Sequence, residues 1–405
     1  FFLQTSSTLP FKMLVRHFVG SRSINLRSVG YAYQSKRYLC STTNTKGTGI
    51  LLMNMGGPAT QEEVGPFLHN LFTDTDIIQM PFQSVTAPIL AKSRTPKIKK
   101  LYEEIGGSPI TKLTTIQGEK TVELLDKLSP ETAPHIPYIG FRYAGPTIPD
   151  ALDKMKSDGI KRVIAFSQYP QFSCTTSGSS FNHLWRNIKA KNLENEFSWS
   201  IIDRWPSHPK FIDAVSKTIN DALVNFSDET RDDVIILFSA HSLPLKTVFK
   251  GDQYTAEVAA TVFHVMKNLN FSHKYMLTWQ SQVGRIPWLE PQTDKVLEDL
   301  GKSQASVLIV PIAFTTDHIE TLSEIDIEFK AVADKSGIKE YYRAKALNDD
   351  PLAIEALASI IHDHIKSNQR HSLQYSFNCP SCENPLCRTI LNPAEGTSVK
   401  PLEPY

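Results

Sequence analysis

The chain has 405 residues, 41% hydrophobic and 21% charged, a size and composition that suit two or three domains with sizeable cores and exclude a disordered or collagen-like chain. No run approaches ~18 apolar residues, which excludes a transmembrane helix. The formal charge of +1 conceals an asymmetry: residues 1–46 carry seven Lys or Arg and no acid. The remaining 36 basic residues face 42 acidic ones, a balance of −6 that excludes nucleic acid as the main partner.

In chain order, the basic leader 1–46 is rich in Ser, Thr and aromatics and lacks the apolar core of a secretory signal. It reads as a mitochondrial transit peptide outside the fold, with a basic nucleic-acid-binding arm as the alternative. The first residue is Phe, and Met13 is the expected start. The run GILLMNM (49–55) predicts a strand ending in NMGGP. That is neither G-x-G-x-x-G nor a Walker loop, and its two glycines permit close approach by a flat ligand, with Met55 as a soft apolar contact. Residues 76–100 place Ile77, Ile78, Met80, Phe82, Val85, Ile89 and Leu90 ahead of Lys92, Arg94, Lys97, Lys99 and Lys100. Apolar residues followed by a basic cluster predict either a lip dipping into an anionic membrane or a core helix with a solvated end.

Further strands are predicted at IPYIGF (136–141), RVIAFS (162–167) and SWSIID (198–203). Arg142 and Tyr143 follow the first of these and Tyr169 the second, offering a cationic fork and aromatic faces. Helical spacing dominates between strands, as in KFIDAVSKTINDALVNF (210–226), and continuous apolar strands alternating with helices predict parallel sheets covered on both faces. The polar stretch 225–234 marks a boundary. We therefore expect two doubly wound, Rossmann-like α/β halves, 47–228 and 229–370, followed by a Cys-rich extension, 371–405.

In the second half, DVIILFSA (233–240) delivers His241 at a strand end, YMLTW (275–279) follows, and SVLIVPIAF (306–314) leads into TTDHIETLSEIDIEF. At ~100° per residue, Asp317, Glu320, Glu324 and Glu328 share an arc of about 80° opposite Ile319, Leu322, Ile325 and Phe329. An amphipathic α-helix is predicted, its acids either solvated or lining a site, with Asp317 and Glu320 as a possible capping pair. If the strands are neighbours, His241, His318, Glu320 and Glu324 converge on one cleft, an arrangement suited to moving protons or holding a divalent cation. RVIAFSQYPQFS faintly echoes SVLIVPIAFTTDHIE, placing candidate residues at strand carboxyl ends, where open α/β sheets bind ligands. After residue 370 periodicity ends, and this tail is not expected to hold a shape without a metal or partner. Its CPSCENPLC spacing fits zinc as well as iron–sulfur, with Cys174 as the remote fourth thiol.

The motifs NMGGP, SRTPKI, IGGSPI, YIGFRY, QYPQFSCTTSGSS, IIDRWPSHP, FSAHSLP, WQSQVG, PWLEPQTD and IAFTTDHIETLSEID occur in the order of the ferrochelatase family. The resemblance covers roughly residues 47–370. With the tail, the chain resembles the family's mitochondrial, iron–sulfur form. The resemblance implies a chelatase-like fold and insertion of Fe2+ into protoporphyrin IX, with His241 accepting pyrrole protons. Glu320 and His318 would face it, and Glu324 and Glu328, beyond Asp317, would continue a proton or metal relay. It implies porphyrin contacts from Met55, Arg94, Tyr102, Ser108, Arg142, Tyr143, Tyr169 and Phe314, and a catalytic place for His208. It implies a [2Fe–2S] cluster on Cys174, Cys379, Cys382 and Cys387, and a homodimer on the matrix side of the mitochondrial inner membrane. Two rivals differ in kind: another tetrapyrrole chelatase, acting on coproporphyrin or sirohydrochlorin, and a non-enzymatic haem or iron–sulfur carrier. The acidic ladder opposite His241 is superfluous to a carrier, and the apolar lip favours a hydrophobic porphyrin.

Overall fold

The computed structural model describes residues 47–392 and 399–402; the transit-peptide expectation for 1–46 lies outside them. Among the described residues, eight strands form two four-stranded sheets. The first contains β1 (Thr48–Asn54), β2 (His135–Phe141), β3 (Arg162–Ser167) and β4 (Ser198–Ile202) in the order β2-β1-β3-β4. The second contains β5 (Ile235–His241), β6 (Lys274–Gln280), β7 (Ser306–Pro311) and β8 (Glu340–Arg343) in the order β6-β5-β7-β8. All pairings are parallel. The two halves thus repeat one doubly wound topology, of the flavodoxin-like order, and each reverses direction between its first and third strands.

The seven apolar runs seen in the sequence are all strands. Unbroken hydrophobic strands such as Thr48–Asn54, buried along its whole length, are what sheets covered on both faces require. The strand β8 was missed because EYYR is short and half-exposed at a sheet edge. The largest apolar cluster runs from Ile50 and Phe166 in the first half through Phe238 and Leu308 in the second. The helix Pro351–Ser367 contributes Leu357, Ile361 and Ile365 to it and packs on helices Ile110–Leu128 and Pro209–Leu223 of the first half.

One sequence expectation is corrected. The segment after β7 is not an α-helix from residue 317: Glu320–Phe329 is a π-helix, and α-helical pitch resumes only at Lys330–Ser336. Such wide turns occur mainly as local features at functional sites. The tail packs on the first half through scattered apolar residues and a few backbone hydrogen bonds. Tyr375, Ile390, Leu391 and Val399 are buried in the first half's second cluster, and residues 400–402 pair with Trp199 of β4. The tail touches the second half as well, since the Ser381 amide donates to the Lys250 carbonyl at 3.2 Å.

Candidate active site

A cavity of about 520 Å3 is lined from the carboxyl ends of both sheets, within the ~300–1,000 Å3 of small-molecule sites. Asn54 ends β1 and Met55 follows it, Arg142 and Tyr143 follow β2, and Gln168 and Tyr169 follow β3; His241 ends β5, and Ala313 and Phe314 follow β7. The cavity therefore touches both places where strand order reverses, where ligands of open α/β sheets sit. Its apolar walls include Leu71 and Phe72, Ile77, Ile78 and Leu90 from the 76–100 region, and Val283, Ile286 and Trp288 from the second half.

At one end, two imidazoles flank a single carboxylate. His241 Nδ1 lies 2.6 Å from the Ser242 carbonyl and His318 Nδ1 lies 3.1 Å from the Thr316 carbonyl. A carbonyl only accepts, so Nδ1 carries the proton in both rings and a neutral ring presents the Nε2 lone pair. Nε2 of His241 is 3.7 Å from Glu320 Oε1, and Nε2 of His318 is 3.6 Å from Glu320 Oε2. Both separations exceed a hydrogen bond, and Glu320 Oε2 is buried without any hydrogen-bond partner. Burial pushes the Glu320 carboxyl up, but His241 and His318 beside it win and hold it below the usual carboxylate range. Its charge reaches three tyrosines: burial first, then Glu320, raises the hydroxyls of Tyr102 and Tyr254, and burial raises that of Tyr169, with Glu320 a smaller contribution after the opposing pull of Arg142.

Glu324 lies one step behind. It accepts from the Ser281 amide at 2.7 Å, the Ser281 hydroxyl at 2.5 Å and Gln280 Nε2 at 2.9 Å. Burial and then the Glu320 charge raise its pKa against these donors. Two neighbouring carboxyls pushed in opposite directions suit a proton acceptor and a proton store. At the other end Asp74 receives Arg142 Nη2 and, at 2.6 Å, the Tyr143 hydroxyl. Arg142 Nε and Nη1 remain buried without partners.

The structure thus brings Met55, Arg142, Tyr143, Tyr169, His241, Phe314, His318 and Glu320 to one cavity. The other candidates sit elsewhere. Tyr102 and Ser108 are buried outside the lining, Arg94 and Glu328 are exposed, and Asp317 is bound to Arg343 Nη1 at 3.0 Å and Asn348 Nδ2 at 2.7 Å. His208 faces Asp363 at 3.3 Å, outside the cavity. Tyr254 and Trp288 line the cavity without having been singled out; Tyr254 opens a helix after GDQ, with nothing in its neighbours to mark a ligand contact.

The four tail and loop thiols influence one another. Cys174 is raised by burial, then by Asp252, Cys387 and Cys379, and Cys387 is pushed up to about 12 by burial and Cys382. Arg388 donates to Cys379 Sγ at 3.7 Å, and the Arg388 and Arg204 guanidiniums both stack on Phe172, at 4.7 and 4.4 Å. Among the described residues, no three His, Cys, Asp or Glu side chains are arranged to hold a metal ion.

A family model described as Ferrochelatase matches residues 47–365. The mitochondrial ferrochelatase of Dictyostelium discoideum is 50% identical over 374 residues, covering 86% of this chain and 88% of that protein. Those of Gallus gallus and Homo sapiens are each 50% identical, over 349 and 344 residues, covering 85% and 84% of this chain and 87% and 81% of theirs. The carrier and sirohydrochlorin readings find no support among these relatives. A model match across nearly all of both α/β halves, joined to half-identical relatives along most of their length, places the chain in the ferrochelatase family.

Proposed function

We propose that the cavity binds protoporphyrin IX and that His241 Nε2 accepts the pyrrole protons as Fe2+ enters the ring, with Glu320 receiving them next. As a ferrochelatase the chain is a lyase of haem synthesis, a mitochondrial enzyme that inserts ferrous iron into protoporphyrin. Metallation releases two protons, so the site needs a base near the ring and a place beyond it for the second proton. The carrying observation is Glu320 between two imidazoles whose Nδ1 atoms are tied to backbone, leaving both Nε2 atoms turned toward it. Glu324, already raised, is the natural next carrier. The apolar walls exclude water from the incoming metal and hold the macrocycle by its periphery, and Arg142, held on Asp74, lines the end opposite His241. The test is anaerobic metallation followed by absorbance. His241→Ala and Glu320→Gln are each expected to slow it at least ~100-fold with porphyrin affinity nearly unchanged. Turnover near the wild-type rate in either variant overturns the assignment.

We assign a [2Fe–2S] cluster to Cys174, Cys379, Cys382 and Cys387. What supports it is the chemistry of the donors rather than a preformed site: two of the four thiols are buried, all four interact electrostatically, and the guanidiniums of Arg204 and Arg388 lie beside them, suited to balance thiolate charge. Once bound, the cluster would fix the tail to the loop after β3. Peripheral membrane contact is proposed through 77–100, because Phe82, Val85 and Ile89 are 85%, 60% and 64% exposed ahead of the basic cluster. This fits the matrix face of the inner membrane. A homodimer is proposed across the second sheet's β6 edge, where Tyr275 and Met276 are exposed beside Phe263 and Phe271.

A further inference from the structure

The geometry points to Gln117 and Asn348 as positioning residues for the proton-accepting site: a buried amide chain from the first half that sets where His318 and Glu320 stand. The inference rests on the reading of the cavity as the metallation site. Gln117 is fully buried in the helix Ile110–Leu128. Its Nε2 donates to the carbonyls of Asn348 at 2.7 Å and Thr315 at 3.3 Å, and its Oε1 accepts from Gln168 Nε2 at 2.9 Å. Both amide protons and the carbonyl are therefore used, and two of those three bonds cross from one half of the chain to the other. Asn348 continues the chain. Its Oδ1 accepts from the Asp317 amide at 2.8 Å, its Nδ2 donates to Asp317 Oδ2 at 2.7 Å, and its own amide donates to the Thr315 carbonyl at 3.0 Å. Asp317 Oδ1 then accepts from the Thr321 hydroxyl at 2.9 Å, and that hydroxyl accepts from the His318 amide at 3.0 Å.

Residues 312–318 join β7 to the π-helix without regular structure of their own, so their trajectory depends on such partners. Leucine or methionine at position 117 would fill similar space. A buried amide costs free energy unless every group is paired, and when paired it selects one geometry. That geometry matters here because His241 and His318 stand 3.7 and 3.6 Å from Glu320, just beyond contact, so a few tenths of an ångström decide how strongly the imidazoles hold the carboxylate. Asn348 sits at φ +45°, a left-handed conformation that Asn tolerates and Gly adopts freely.

The experiment compares the full-length wild type with Asn348→Gly, which keeps the backbone and removes the amide, with Gln117→Met, and with the double variant. Fe2+ insertion into protoporphyrin is followed across pH, together with thermal melting. For each single variant kcat should fall about tenfold while KM for protoporphyrin stays within about twofold. The acidic limb of kcat/KM should move to higher pH, because a carboxylate held less firmly by its imidazoles takes up its proton earlier as pH falls. The double variant should lose little more than the worse single one, as members of one chain do. If Asn348→Gly does not fold, Gln117→Met carries the same comparison. Additive losses, an unmoved acidic limb, or a kcat loss matched by the unfolded fraction overturn the inference. Failure of the wild type to metallate protoporphyrin overturns instead the reading on which it rests.

Discussion

Gly57 stands where no side chain fits: a Cβ there would lie 2.8 Å from the Ser108 Cβ and closer still to its hydroxyl. The sequence reading assigned the glycine pair to close approach by a ligand, whereas at Gly57 the close approach is by the protein's own loop. Gly57→Ala is expected to cost about 1–3 kcal/mol of stability by forcing the 106–109 loop away from β1; denaturant unfolding checks it, and an unchanged midpoint contradicts it. Individual residues were legible where chemistry and strand ends coincided. His241, Arg142, Tyr143, Tyr169 and Phe314 all follow apolar runs, so parallel topology alone carries them to one cavity. Asn348 and Gln117 were not legible: each looks like an ordinary polar residue until the two halves pack. His208 and Arg94, carried by resemblance, occupy positions outside the cavity.

Among the elements, strands were read well because burial on both faces leaves continuous hydrophobic runs, and the helix after β7 was read less well. Counting at 100° per residue put Asp317, Glu320, Glu324 and Glu328 on one stripe, yet π-pitch begins at Glu320 and Asp317 lies outside it, tied to Arg343. Periodicity in a sequence cannot register a change of pitch that tertiary partners impose. The packing of the tail was not legible for a related reason: four scattered apolar residues, Tyr375, Ile390, Leu391 and Val399, have no period, but each finds a place in an existing core. The proposed cluster would add to that anchorage. Cys387→Ser should abolish the visible absorbance of the purified protein and lower its melting temperature by several degrees, and an unchanged spectrum and melting point contradict the ligand set. The apolar anchors should keep the variant folded at low temperature.

For the molecule as a whole, acid is the expected weak point. Burial pulls His364 down to about 4, and burial with Arg142 and Arg186 pulls His183 down to about 4. Between those values and the ordinary histidine pKa near 6.5, the unfolded chain binds protons that the folded one refuses. Stability therefore rises with pH across that window, is fully present above it, and is lost as pH falls toward 4. For His364, paired with the Ser200 hydroxyl at 2.9 Å, the loss is on the order of 3 kcal/mol. His364→Gln should flatten the melting temperature between pH 6.5 and 4 relative to wild type; parallel curves for the two proteins contradict the assignment.

The outer side of β4 has a further consequence. Trp199 donates to the Lys400 carbonyl at 2.9 Å and accepts from the Leu402 amide at 2.7 Å, while the Ile201 amide donates to the Arg370 carbonyl at 2.7 Å. Without those residues, SWSII would present unpaired backbone along an apolar, β-prone strand to any molecule of its own kind. Chains shortened before residue 399 should therefore disappear from solution as aggregates, so their fate in a crowded compartment is decided by solubility before chemistry enters.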